Sequence, residues 1–271
     1  MFFALTHACG PASFSPQSRQ KAAAAPSRVA SPPREIVLQR IELFLLFAPV
    51  LLVSMVAHEY AHGYAALKQG DTTAQQLGRL TWNPIRHIDP VMTVILPLLT
   101  YFGGGLLGQP LIFGGAKPVP VDPRNYRSYR RGDIIVSLAG VATNAVLVLA
   151  CVALIVIVGL VARMLPAAST PVAILQTMLI AGISFNLVLV AFNLLPIPPL
   201  DGSHVVKHLL PPALAGPYQR LGFYGMFLIL ALLLFLPRAL QVWMRPMSIV
   251  LEKAMRIVMP YVVPSPWTSI F

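Results

Sequence analysis

The chain alternates long apolar stretches with short polar ones. Apolar runs lie at about 36–67, 90–109, 133–162, 172–199 and 218–236, with a further candidate at 239–263. The first, third and fourth are long enough to cross a hydrocarbon core of ~30 Å as helices, and the fifth reads as another span. The second is broken by Pro97 and by Gly103-Gly104-Gly105, which suits a re-entrant or interfacial hairpin. The last carries Arg245, Glu252, Lys253 and Arg256, so it is expected along the interface or against its neighbours. Between the second and third runs, residues 111–127 read LIFGGAKPVPVDPRNYR. The paired glycines and the Val-Pro-Val alternation predict a short β-hairpin or an extended loop there. The expected fold class is therefore an all-α polytopic membrane protein, with about five to six membrane-associated helices and a small β-hairpin.

Composition sharpens this picture. Of 271 residues, 56 % are hydrophobic and 11 % charged, against roughly 25 % charged in a soluble domain, and the mean hydropathy is +0.72. That leaves too little polar material to cover a water-facing surface, which excludes a soluble enzyme and, over most of the chain, disorder. Two cysteines, Cys9 and Cys151, exclude a disulfide scaffold. The net charge of +11 comes from residues lying between apolar runs, without aromatic interleaving. It points to basic loops beside a bilayer and not to nucleic acid. Residues 1–35 hold five prolines, Arg19, Lys21, Arg28 and Arg34, and no acid before Glu35, as in a disordered basic tail.

The first apolar segment ends in His58-Glu59-Tyr60-Ala61-His62. On a helix, positions i and i+4 share one face, so both imidazoles can reach one zinc ion, and Glu59 beside them can take a proton from its water. His62 precedes the first cationic anchor, Lys68, by six residues, on the order of 9 Å of helix. Over that depth a buried metal site explains the histidines better than side chains reaching for the headgroups.

Zinc needs a third protein ligand. Ala65 and Lys68 stand where a metzincin needs Gly and His, and no glutamate occurs between Glu59 and Glu252. The candidates are Asp71, His87, Asp89, Asp122, Asp133, Asp201, His204 and His208. Asp201 stands out because three prolines before it break an apolar segment, and irregular backbone at membrane depth occurs where it is buried or lines a cavity. His204 is the alternative.

HEYAH, GVATN at 140–144 and NLLPIPPLDG at 193–202 together resemble the site-2 protease family of intramembrane zinc metalloproteases. HIDP at 87–90 and FGGAKPVPVDPRNYR at 113–127 resemble its compact branch, which lacks a PDZ domain. The similarity covers residues 41–210, and Val141 departs from it where proline is usual. It implies one zinc ion per chain on His58, His62 and Asp201, with Glu59 as catalytic base, and it associates Asn144 and Asn193 with the substrate. Each asparagine is also a lone amide in an apolar segment, where interhelical hydrogen bonding is the other role open to it.

These readings divide the chain into the tail at 1–35, a catalytic transmembrane core at 36–210 and C-terminal membrane helices at 211–271. The implied function is cleavage of transmembrane segments in single-pass membrane proteins, with the hairpin near the active site offering an edge to an unwound substrate. A metal transporter or a catalytically silent zinc scaffold is the alternative; neither needs Glu59. Lys68, Arg79, Arg86, Lys117, Arg124, Arg127, Arg130 and Arg131 lie between the first and third segments. The positive-inside rule makes that face cytoplasmic in a cell membrane, with a bacterial inner membrane the expected location.

Overall fold

The computed structural model describes residues 33–103 and 114–264. The elements in chain order are α1 (Pro33–Gln69), α2 (Thr73–Gln76), α3 (Leu96–Phe102), α4 (Tyr129–Met164), α5 (Ser169–Asn193), α6 (Asp201–Lys207), α7 (Pro212–Arg220), α8 (Gly225–Phe235) and α9 (Pro237–Val258). Among the described residues, three helical stretches are long and apolar enough to cross a membrane: Arg40–Gln69, Tyr129–Met164 and Pro166–Asn193. A fourth crossing exists only if α8 and α9, bent by 90° at Leu236–Pro237, count as one span. Pro90–Phe102 is apolar but short. Of the five to six membrane-associated helices expected, three are clear spans, and the described residues contain no strand. Most of the tail expected at 1–35, the end of the second apolar run from 104 on, and the first three residues of the hairpin expected at 111–127 lie outside the described residues; the remainder of that hairpin, 114–127, forms no strand.

α5 is the central helix. Its positions 180–188 are buried on every side, which is why its sequence shows no polar face. α1 and α4 pack against it at Gly182, where a Cβ would lie 3.0 Å from Cys151 Sγ and 3.3 Å from Val50 Cγ1. Small residues at such crossings let membrane helices approach closely. Amides join the helices as well: Asn186 donates to the Ser54 hydroxyl at 2.9 Å, and Gln176 donates to the Ile155 and Tyr261 carbonyls. α9 lies against this core through Ala254 and Val258, beside Ile155, Ile180 and Ile183. The charges on α9 therefore belong to its outer side.

Between α1 and α4 the chain folds back over the end of α1. Asp89 caps a turn of π-helix at Pro90–Ile95, accepting from the Val91 and Met92 N–H groups. Residues 114–122 then form an extended strap without regular structure. Its N–H groups bond to separate elements: Gly115 to the Met92 carbonyl, Lys117 to the His87 carbonyl and Asp122 to the Asp71 carboxylate. With its donors used this way, the strap has no neighbouring strand to form a ladder with.

Candidate active site

The last turns of α1 bring His58 and His62 onto one face, with Nε2 atoms 2.9 Å apart. α5 stops at Asn193, Pro196, Pro198 and Pro199 prevent the helix from continuing, and α6 starts at Asp201. That turn returns the carboxylate to α1: Asp201 Oδ2 lies 3.2 Å from His58 Nε2 and 3.4 Å from His62 Nε2. One ligand atom from each of the three residues falls within 4.8 Å of the others.

The hydrogen bonds behind the rings define their tautomers. His62 Nδ1 donates to the Val136 carbonyl at 2.7 Å, and His58 Nδ1 donates to Asn144 Oδ1 at 3.0 Å. Both partners are acceptors, so each Nε2 presents a lone pair. Asp201 Oδ2 is buried and receives no hydrogen bond from a donor. Three electron-rich atoms facing one another repel unless a cation lies between them, and two imidazoles with one carboxylate suit zinc with an open fourth position. Gly140 completes the fit: a Cβ there would come within 2.5 Å of His58 Cε1 and 2.6 Å of both Nε2 atoms.

Glu59 accepts from the Val119 N–H of the strap at 2.8 Å. Asn144 is fully buried beside His58. Asn193, half-buried at the end of α5, donates to the Leu189 carbonyl one turn back. The other candidate ligands go elsewhere. Asp71 binds Thr73, Asn125 and the Asp122 N–H, His87 binds the Thr81 carbonyl, and Asp122 pairs with Arg124. Asp133, His204 and His208 form a separate cluster. Among the described residues, His58, His62 and Asp201 are the group able to hold a metal ion.

Three parts of the site escape residue-by-residue reading. The Val136 carbonyl carries no side-chain signal, the Val119 N–H belongs to a loop 60 positions from Glu59, and Gly140 acts through what it lacks. The strap also offers less to an extended substrate than its sequence suggests. Gly115, Lys117 and Val119 have bonded their N–H groups, and Pro118 and Pro120 have none.

Comparison with known proteins agrees with this geometry. Peptidase family M50 matches residues 46–236. A Bacillus subtilis (strain 168) protein named "Putative zinc metalloprotease YwhC" is 38 % identical over 185 residues, covering 67 % of this chain and 77 % of its own. A Mycolicibacterium smegmatis protein named "Putative zinc metalloprotease Rip2" is 33 % identical over 214 residues, covering 76 % and 72 %. No solved structure matches. A metal-binding His-Glu-x-x-His helix, a returning Asp201 and a match over most of the membrane core converge on one assignment: the chain is a zinc metalloprotease of peptidase family M50, the site-2 protease family.

Proposed function

We propose that this protein is an intramembrane endopeptidase that cleaves transmembrane segments of single-pass membrane proteins, with its active site toward the cytoplasmic side of a bacterial inner membrane. The observation that carries the reading is the convergence of His58 Nε2, His62 Nε2 and Asp201 Oδ2 beside Glu59. His58, His62 and Asp201 would hold a zinc ion there, which would supply a Lewis acid for the scissile carbonyl and lower the pKa of a bound water. Glu59 takes the proton of the attacking water and passes it to the departing amine. The Val119 N–H holds one Glu59 oxygen and leaves the other for that proton. Asn144 and the Val136 carbonyl keep the imidazoles in the ligand tautomer. The Asn193 amide nitrogen is held on its own helix, so its oxygen is the group we assign to a substrate N–H.

The ends of α1 and α5 and the start of α4, where the site is built, coincide with the basic stretch from Lys68 to Arg131, which supports the cytoplasmic orientation. An apolar cavity of about 370 Å³ runs along α1 past Phe44, Pro49, Leu52 and Met55 to Gly114 and Gly115. It stops three residues short of His58 and suits an apolar substrate segment.

The test uses full-length protein in detergent. Wild type is expected to hold one zinc ion per chain and Asp201→Ala to lose it. Glu59→Gln is expected to keep the metal while cleavage of a fused single-pass substrate falls by about 10²–10⁴-fold. A wild type without zinc, or a Glu59→Gln variant cutting at the wild-type rate, overturns the reading.

A further inference from the structure

α4 presents one stripe to the centre of the molecule. Asp133, Val136, Gly140 and Asn144 are three, four and four residues apart, the spacing of a single helix face. Two members of the stripe each fix one histidine, Asn144 behind His58 and the Val136 carbonyl behind His62. The buried Oδ2 of Asp201, the atom that faces the two histidines, receives no donor of its own among the described residues.

α6, which carries Asp201, is seven residues long and has little helix of its own to hold it in place. Asp201, His204 and His208 stand at i, i+3 and i+7, on one face, with Lys207 beside them. All three of the latter converge on Asp133. His204 Nδ1 donates to Oδ1 at 3.0 Å, His208 Nε2 donates to Oδ2 at 2.7 Å, and the Lys207 ammonium forms an ion pair with Oδ2. Lys207 also donates to the Tyr129 hydroxyl at 3.3 Å, and His208 packs edge-on against the Tyr129 ring. The side chains of Asp133 and Lys207 are 3 % and 6 % exposed.

We infer that Asp133 is a positioning residue for the metal centre: by gripping His204, Lys207 and His208 it sets the rotation and height of α6, and so the placement of the Asp201 carboxylate against His58 and His62. This rests on the metal-centre reading above. Apolar contacts would hold a short helix against α4 as well or better, because burying charge is costly. What a carboxylate with three donors adds is direction: three attachment points fix rotation as well as distance. A ligand set needs that, since its members must be held within about 0.5 Å of the productive geometry.

The experiment measures zinc affinity by chelator competition, the visible spectrum of the cobalt-substituted protein, and kcat and KM on a model substrate. Asp133→Asn is expected to weaken zinc about 10–100-fold, to shift the cobalt bands and to lower kcat while KM stays within about twofold. Lys207→Met is expected to move each readout in the same direction by less. Wild-type zinc affinity and cobalt spectrum in a folded Asp133→Asn protein overturn the inference. Should that variant not fold, Asp133→Asn with Lys207→Met removes both buried charges together; it is expected to fold and still to bind zinc weakly, and wild-type affinity in it overturns the inference equally. A wild type that binds no zinc removes the underlying reading and this one with it, whereas a zinc-binding wild type beside an unaffected variant removes this one alone.

Discussion

At the scale of single residues, Gly140 separates chemistry from stability. In a helix interior, alanine is favoured over glycine by about 1 kcal/mol, so Gly140→Ala on backbone grounds alone should stabilise α4. The added carbon, however, would come within 2.5–2.6 Å of imidazole atoms that Asn144 and Val136 hold from behind. The rings have to turn out of line. The expected outcome is a protein of unchanged or higher apo melting temperature that binds less than one zinc ion per chain and loses at least about 10²-fold in activity, a loss of the size expected when a catalytic constellation is misplaced. Metal analysis beside thermal unfolding checks this; full zinc occupancy in Gly140→Ala would contradict it.

At the scale of elements, Asp71 fastens the exit of α1 to the loop that leads into α4. Burial alone would push its carboxyl up, but hydrogen bonds from the Thr73 and Asn125 side chains and from the Asp122 and Thr73 N–H groups hold it below its ordinary value of 3.8. A carboxyl depressed by folding contributes stability that is present above its unfolded pKa and is lost as pH falls through the folded one. Below about pH 4, the melting temperature of wild type is therefore expected to drop more steeply than that of Asp71→Asn. At neutral pH the variant is expected to be less stable by about 1–3 kcal/mol, the cost of disrupting a buried hydrogen-bonded group. Parallel slopes below pH 4 would show that Asp71 contributes nothing to the acid limb. The sequence is an uneven guide at this scale. Apolar length alone marks α1, α4 and α5, and the two histidines with Asp201 were legible from helix spacing and from the prolines. The fourth apolar run predicted to residue 199 ends instead at Asn193, because Pro196 and its successors stop the helix earlier than hydropathy does. The Val-Pro-Val alternation indicated extended backbone correctly, but alternation cannot say what the N–H groups will bond to. The grip of Asp133 on His208 spans 75 positions, and no local pattern reports such a contact.

At the scale of the whole molecule, α4 has 36 residues, about 54 Å of helix, against a hydrocarbon core of ~30 Å. Its two ends should therefore emerge on opposite sides. Arg124, shortly before the helix, and Met164, its last residue, have strongly exposed side chains. In a background lacking Cys9 and Cys151, a membrane-impermeant maleimide applied to intact cells is expected to label Met164→Cys and to spare Arg124→Cys until the cells are opened. Equal labelling of both in intact cells would refute the orientation. The strap bears on how such molecules coexist in a crowded bilayer. Exposed extended segments ordinarily invite their counterparts to pair edge to edge and so to aggregate. Here Gly115, Lys117 and Val119 direct their N–H groups into their own fold, and proline occupies 118 and 120. From 115 to 120, Ala116 is left as the one free donor. The Gly115, Lys117 and Pro118 carbonyls are likewise engaged, by Thr93 and Arg79, so two such rims meeting have few backbone groups left to exchange, and the segment beside Glu59 is guarded against self-association.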